Sequence, residues 1–133
     1  MNQKHLELAK QFNLFAYELV SKEVIAKENL KSLENDIVYR RIIFNKYYYA
    51  LYHKYLAYDD DLSSKTGSSK HDAIKRKIES CGDRKLSQVF IKLLNLRVWA
   101  DYRVDENPMA LSIRLQELNT DVWSVVKRSN ISC

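Results

Sequence analysis

Apolar positions near the start of the chain recur at three- and four-residue steps. Leu8, Phe12, Ala16 and Leu19 follow this spacing, which places them on one face of a helix. We therefore expect a first helix over residues 4–22. The segment that follows, residues 24–36, is more polar and fits either a short helix or an ordered connection.

A second helix is expected over residues 37–58, where apolar side chains occupy nearly every helical face. Asn35 or Asp36 would cap it, because a short side-chain oxygen can accept hydrogen bonds from first-turn amides. A helix that is apolar nearly all round is typical of a buried element. We predict that this helix is the centre of the core.

Residues 59–70 form the most Ser- and Gly-rich segment and have no apolar period, which predicts a mobile loop. A third, shorter helix is expected over residues 71–79, with Gly82 as a left-handed terminator. Asp83 would cap a fourth helix over residues 84–104. Pro108 would start a fifth helix that continues to Val126.

These elements predict an all-α fold, an up-and-down bundle of four main helices with an extra short helix. The chain has 133 residues, so residues 1–133 are expected to form a single domain. With only 2 Gly and 1 Pro, the sequence lacks the turn formers that a β-sandwich or barrel needs.

Localisation follows from the distribution of charged residues. Stretches without Asp, Glu, Lys or Arg reach only seven residues, as in YYYALYH, which is too short to span a bilayer. The first residues do not resemble an export signal, so we expect a cytoplasmic protein that does not enter a membrane. Cys81 and Cys133 are expected to be reduced thiols.

Positive charge is concentrated in the middle of the chain. The net charge is +5, and residues 37–58 contain four basic residues and no acidic one. Such a segment can attract a polyanion such as RNA, and it is equally typical of a solvated helix face.

Two short stretches carry side chains suited to chemistry. In YYYALYH, Tyr49 and His53 are four residues apart, and in LRVWADY the same spacing separates Arg97 from Asp101, so each pair shares a helix face. A charge on a mostly apolar helix needs a partner. Arg97 and Asp101 therefore either pair structurally or form part of a site.

Other kinds of site lack their sequence signals. None of the three histidines lies three residues after a Glu, as a di-iron bundle requires, and the Asp59, Asp60, Asp61 run lacks the pattern of a calcium loop. There is no Gly-rich phosphate loop and no nucleophile elbow. We expect no metal and no cofactor.

At the two stretches the chain resembles the HEPN domains, small helical domains of prokaryotic toxins and defence systems. The run YRRIIFNKYYYALYH is similar to the second-helix signature of that family, and LRVWADY is similar to its later signature. His71 lies where many members place a histidine at the start of the third helix. The positions that match the two signatures are Tyr48, Tyr49, Ala50, His53, Arg97, Ala100, Asp101 and Tyr102.

The resemblance implies an all-helical fold, frequent dimerisation and a role in a conflict system, often beside a minimal nucleotidyltransferase. Family ribonucleases typically carry an Arg followed by a His with four to six residues between them. No Arg here has that spacing, and only Lys46 and His53 imitate it. Whether the chain is an enzyme therefore stays open.

The leading hypothesis is a metal-independent endoribonuclease of a toxin–antitoxin or antiviral defence system. Its catalytic residues would be Arg97, Asp101, Tyr102 and His53, and its substrate-binding residues would be Lys46, Tyr49 and His71. His53 would act as base or acid, and Arg97 would hold the phosphate. Expected partners are RNA or a nucleotide, a second copy of the chain, and a nucleotidyltransferase or defence protein.

Two alternatives remain. The first is a non-catalytic RNA- or nucleotide-binding or assembly subunit that uses the same polar residues structurally. The second, a basic helical DNA-binding module, lacks a recognition helix with exposed Arg or Asn beside a tight turn.

Overall fold

The computed structural model describes residues 2–28, 33–63, 69–103, 107–129 and 131. All regular secondary structure in these residues is helical, which confirms the all-α class. The helices are α1 (Gln3–Glu28), α2 (Leu33–Leu56), α3 (Asp60–Ser63), α4 (Ser69–Ser80), α5 (Arg84–Tyr102), α6 (Pro108–Ser112) and α7 (Leu115–Val126).

Helix α1 is longer than expected, because its last residues are mostly good helix formers such as Ala, Lys and Glu. The prediction that Asn35 or Asp36 caps the second helix is wrong, since both lie inside α2. The start of α1 has its own cap. The side chain of Asn2 accepts hydrogen bonds from the amides of Lys4 and His5 at 3.0 and 3.3 Å.

The segment expected to be a mobile loop is partly helical. Asp59 Oδ1 accepts from the amide of Leu62 at 2.9 Å, so it caps α3, and the Leu62 side chain is buried. Helix α4 already begins at Ser69. The prediction of a loop over residues 59–70 is therefore wrong at both ends, and residues 64–68 lie outside the described part of the chain.

Local signals place the junction between α4 and α5 correctly. Gly82 has φ of 80°, a conformation that glycine adopts without steric cost. Asp83 Oδ1 accepts from the amide of Leu86 at 3.0 Å, as expected for a cap. Helix α5 ends at Tyr102, two residues before the predicted end.

The expected fifth helix is two helices. Asn107 caps α6, which has Pro108 in its first turn, and Ile113 then leaves the helix with φ −61° and ψ 132°. A buried Arg40 accounts for the break, because its Nη1 donates to the carbonyls of Ala110 at 3.1 Å and Ile113 at 2.8 Å. These bonds satisfy carbonyls that a continuous helix would have paired.

Helix α2 lies at the centre of the packing and contacts α1, α5 and α7. Contacts between side chains show that α1 and α5 run antiparallel to α2, and that α7 runs parallel to it. The largest fully buried side chains of α2 are Ile43, Phe44, Tyr47, Tyr48, Leu51 and Leu56. The predicted central role of the second helix is confirmed.

Three of the four basic residues of α2 stabilise the ends of other helices. Arg40 donates to the end of α6, Arg41 donates to three carbonyls at the end of α5, and Lys54 donates to the carbonyl of Arg128 just after α7. Cations are favourable at these carboxyl ends. These three residues are thus neither a solvated face nor a free polyanion-binding surface.

Cys81 is disulfide-bonded, so the prediction of a reduced thiol is wrong for this residue. Cys133 is the other cysteine of the sequence and lies outside the described residues. Two cysteines far apart in sequence give no pairing signal, because pairing depends on the distance in the folded chain. Among the described residues, no helix is long and apolar enough to cross a membrane.

Candidate functional site

All three histidines of the sequence meet in one place. His5 comes from α1, His53 from α2 and His71 from α4. They surround tyrosine rings of α2 beside the guanidinium of Arg97. We call this group the histidine–tyrosine cluster, and its members are His5, His53, His71, Tyr48, Tyr49 and Tyr52.

Helix α2 contributes most of the cluster because Tyr48, Tyr49, Tyr52 and His53 are spaced so that they share one side of the helix. The rings of Tyr49 and Tyr52 meet edge to face with centroids 5.4 Å apart, and those of Tyr52 and His53 do so at 5.1 Å. This geometry is favourable for aromatic pairs. The tyrosine rings thus pack directly against the histidines.

His5 and His53 form a direct imidazole pair. Their Nδ1 atoms are 2.8 Å apart and their rings are stacked with centroids 5.0 Å apart. Asn2 positions His5. The Asn2 side chain caps α1, and the Asn2 backbone N–H donates to the carbonyl of Ala57, just after α2. One Nδ1 must donate and the other accept, so the pair requires at least one neutral ring.

Burial and charge keep these two imidazoles neutral. Desolvation, followed by repulsion from His5 and Lys70, lowers the pKa of His53 to about 4. Desolvation and the nearby Lys70 and Lys4 also lower the pKa of His5. Both rings are therefore uncharged at neutral pH.

His71 is held by Tyr48. The Tyr48 hydroxyl oxygen lies 2.6 Å from His71 Nδ1, and the His71 ring lies 4.9 Å from the centroid of Tyr52. Burial raises the pKa of the Tyr48 hydroxyl, which stays protonated. Desolvation and the positive charge of Arg97 lower the pKa of His71, so this ring is a neutral proton acceptor at pH 7.

Arg97 extends from α5 onto the tyrosine rings. Its Cζ is 5.3 Å from the Tyr48 centroid, 5.7 Å from that of Tyr49 and 5.6 Å from that of Tyr102. Its side chain is 11% exposed, and its Nε lies 3.3 Å from Asp101 Oδ2. The Nε atom of Arg97 makes no hydrogen bond to the described residues, so its contact with Asp101 is electrostatic.

Asp101 and Tyr102 lie at the solvent edge of the cluster. Asn45 Nδ2 donates to both carboxylate oxygens of Asp101 at 3.1 and 3.3 Å. Tyr102 is 70% exposed, and its hydroxyl accepts from Arg97 Nη2 at 3.4 Å. Both side chains thus contact the Arg97 guanidinium.

Lys46 lies to one side of the cluster. Its Nζ is 5.4 Å from the centroid of Phe12, whose ring stacks on His53 at 5.5 Å. Lys46 and Phe12 line a recess of about 300 Å³ together with Leu8, Gln11 and Phe15. The recess adjoins the cluster through Phe12.

The seven residues predicted for the site meet only in part. Tyr49, His71, Asp101 and Tyr102 gather around Arg97. Among the described residues, His53 makes no direct contact with Arg97, although we expected one. The ring of Tyr49 contacts both residues and links them. The histidine that interacts with Arg97 is therefore His71 and not His53. Lys46 lies apart from this group, beside Phe12.

Sequence reasoning missed several members of the site. His5 was overlooked because its partner lies 48 residues away, and nothing within α1 indicates that partner. Asn45 lies four residues before Tyr49 on the same face of α2, so the spacing could have indicated it. Tyr48 matches the family signature but is given no role in the site from the sequence.

The cluster offers neutral imidazoles and phenol hydroxyls beside the positive charge of Arg97, which suits the binding of an anion and the transfer of a proton. Among the described residues, no three His, Cys, Asp or Glu side chains are arranged to hold a metal ion.

Comparison with known proteins finds no matching family model, no matching curated protein and no matching solved structure. The HEPN resemblance therefore rests on the two sequence stretches alone. Its implications are treated below as proposals.

Proposed function

We propose that this chain is a HEPN-like, metal-independent endoribonuclease of a toxin–antitoxin or antiviral defence system. One observation carries the proposal: all three histidines gather on the tyrosines beside Arg97. In this proposal α1, α2, α5 and α7 are the four main helices of an up-and-down bundle. The protein works as a homodimer, with a nucleotidyltransferase or defence protein as partner.

The proposed reaction uses the ribose 2′-hydroxyl as nucleophile. His71 accepts the hydroxyl proton, a bond forms between O2′ and phosphorus, and the bond between phosphorus and O5′ breaks. The products are a 2′,3′-cyclic phosphate and a 5′-hydroxyl, whose oxygen receives a proton from Tyr102 or water. Arg97 stabilises the charge on the phosphate, and Asp101 orients Arg97.

His71 is the preferred base for a geometric reason. The charge of Arg97 acts on His71, whereas His53 is linked to Arg97 only through the ring of Tyr49. The hydrogen bond between His71 and Tyr48 uses Nδ1 of the imidazole. The second nitrogen of His71 makes no hydrogen bond to the described residues. This arrangement, one nitrogen held and the other available, is what a general base requires.

The test is cleavage of mixed RNA by the purified protein in the presence of EDTA. We expect His71→Asn and Arg97→Gln each to lower the rate by about 10²- to 10⁴-fold, and Lys92→Gln, on the exposed side of α5, to leave it unchanged. His53→Asn should have a smaller effect. DNA of the same sequence should stay intact because it lacks the nucleophile.

Wild-type protein that leaves RNA intact at every concentration, alone and with the product of the adjacent gene, would exclude the nuclease. Cleavage that requires a divalent metal would exclude this mechanism. Thermal unfolding of each variant is measured alongside, so that a loss of rate can be separated from a loss of structure.

A non-catalytic binding or assembly subunit is the second candidate. The observation that favours it is the pairing of Arg97 with Asp101, beside the Tyr102 hydroxyl, since a structural pair would look the same. This candidate predicts that Arg97→Gln lowers the free energy of unfolding or breaks the oligomer, because the Arg97 guanidinium, which is 11% exposed, loses its contact with Asp101. Unchanged unfolding and an unchanged oligomeric state would count against it.

A further inference from the structure

The recess beside the cluster has the features of a binding site for a flat ring. It measures about 300 Å³ and is lined by Leu8, Gln11, Phe12, Phe15 and Lys46. Pockets for whole drug-sized ligands begin at about this volume, so the recess suits a small, compact group. The Phe15 side chain is 48% exposed and is available for contact.

The lining has a definite chemistry. Phe12 and Phe15 are three residues apart on α1 and therefore adjacent on its surface. Lys46 supplies a positive charge from α2, with its Nζ 5.4 Å from the Phe12 ring, and Gln11 supplies an amide that can donate and accept. Aromatic faces beside a cation are the usual elements of a single-stranded nucleic-acid site.

The recess is also continuous with the histidine–tyrosine cluster. Phe12 stacks on His53 with the two rings nearly parallel, at 10°, and contacts Tyr49 with centroids 6.0 Å apart. Tyr49 in turn contacts Arg97. A strand whose phosphate lies at Arg97 could therefore place a neighbouring nucleotide at the recess.

We infer that the recess between α1 and α2 is a subsite for one unpaired nucleobase of an RNA strand, with Phe15 as the stacking surface and Lys46 as the contact to the adjoining phosphate. The inference rests on the proposed function and names its substrate class as single-stranded RNA. Because stacking tolerates every base, the subsite selects an unpaired nucleotide rather than a particular sequence.

The test is the binding of a fluorescein-labelled single-stranded RNA dodecamer to the full chain, followed by anisotropy. We expect Phe15→Ala to weaken binding by about ten- to hundredfold, the usual effect of losing one stacked base. Tyr17→Ala is the matched control, because Tyr17 is an equally exposed aromatic of α1, at 50%, outside the recess lining. It should bind as the wild type does.

Abasic RNA identifies the occupant. In a set of dodecamers that each lack one base, the dodecamer lacking the base at one particular position should bind the wild type about ten- to hundredfold more weakly, and this penalty should vanish in Phe15→Ala.

Lys46→Gln should reduce the slope of log affinity against log salt by about 0.7. Duplex RNA should bind without dependence on Phe15, and adenosine monophosphate should compete if free nucleotides are also accepted.

The outcomes separate the subsite from the proposed function. If the wild type binds RNA but Phe15→Ala and Tyr17→Ala bind equally well, and no abasic position depends on Phe15, the subsite is excluded while the RNA function stands. If the wild type binds no RNA, both are excluded. A dependence on Phe15 for adenosine monophosphate alone would overturn the assignment to an RNA strand.

Discussion

Arg40 and Arg41 are neighbours in sequence, yet their guanidinium groups donate to the ends of two different helices. Arg40 Nη1 contacts the carbonyls of Ala110 and Ile113, while Arg41 Nη1 contacts those of Trp99, Ala100 and Arg103 at 2.7–3.0 Å. The Arg41 guanidinium also lies 4.1 Å from the Trp99 ring centroid. Charge in this segment therefore serves the fold.

Arg40→Ala should strongly destabilise the protein. Arg40 is 3% exposed, and its removal leaves buried carbonyls without a donor, which costs about 3 kcal/mol for bonds from a charged group. Arg76→Ala, at an exposed arginine of α4, is the control and should change little. Urea unfolding followed by circular dichroism measures both, and equal midpoints would show that Arg40 has no such role.

At the scale of elements, the junction between α4 and α5 combines two local devices with one tertiary contact. Gly82 ends α4 and Asp83 caps α5, and the second carboxylate oxygen of Asp83 accepts from Arg128. The hydrogen bond from the Leu86 amide has the largest effect and lowers the pKa of Asp83; burial opposes it, and the hydrogen bond and charge of Arg128 lower the pKa further. One side chain thus joins the start of α5 to the segment after α7.

Asp83→Ala should lower the free energy of unfolding by about 1–2 kcal/mol, because the cap and the ion pair are both lost. Asp83→Asn keeps an oxygen for the Leu86 amide and removes the charge, so it should recover most of the loss. Thermal unfolding at pH 7 separates the two contributions. An asparagine variant as unstable as the alanine variant would show that the contact with Arg128 dominates.

At the scale of the whole molecule, the histidine–tyrosine cluster joins α1, α2 and α4, and Arg97 adds α5. Burial lowers the pKa of each of the three histidines. The folded state therefore binds fewer protons than the unfolded chain below the ordinary histidine pKa of about 6.5. Protonation of the cluster opposes folding.

The sign of this effect predicts that stability is lost on mild acidification. Because the unfolded chain binds more protons in this window, the free energy of unfolding falls as pH decreases from about 6.5 toward 4. The melting temperature should drop by several degrees between pH 7 and pH 5. The carboxylates of Asp59 and Asp83 have lowered pKa values and contribute mainly below this range.

His53→Asn should flatten this pH dependence, since an amide can still hydrogen-bond to His5 and does not titrate. His71→Asn should leave unchanged the share of the pH dependence that comes from the His5–His53 pair. A wild-type melting temperature that is the same at pH 7 and pH 5 would contradict the neutral imidazole pair.

Sequence by itself determined the features that depend on neighbours a few residues apart. Spacings of one to four residues, where local geometry decides the outcome, predict four features. These are the helical class, the end of α4 at Gly82, the Asp83 cap and the shared face of Tyr49 and His53. The same reasoning predicted Arg97 and Asp101 as a pair, four residues apart on α5, and their contact is present.

Only the tertiary structure decided the features that join distant segments. The break between α6 and α7 depends on Arg40, 70 residues from Ala110, and His53 is held by His5 rather than by Arg97. A side chain reaches only its spatial neighbours, and helix packing selects those neighbours after the local spacings are satisfied. The segment that binds Arg40 carries no local sign of it, because backbone carbonyls are present at every position.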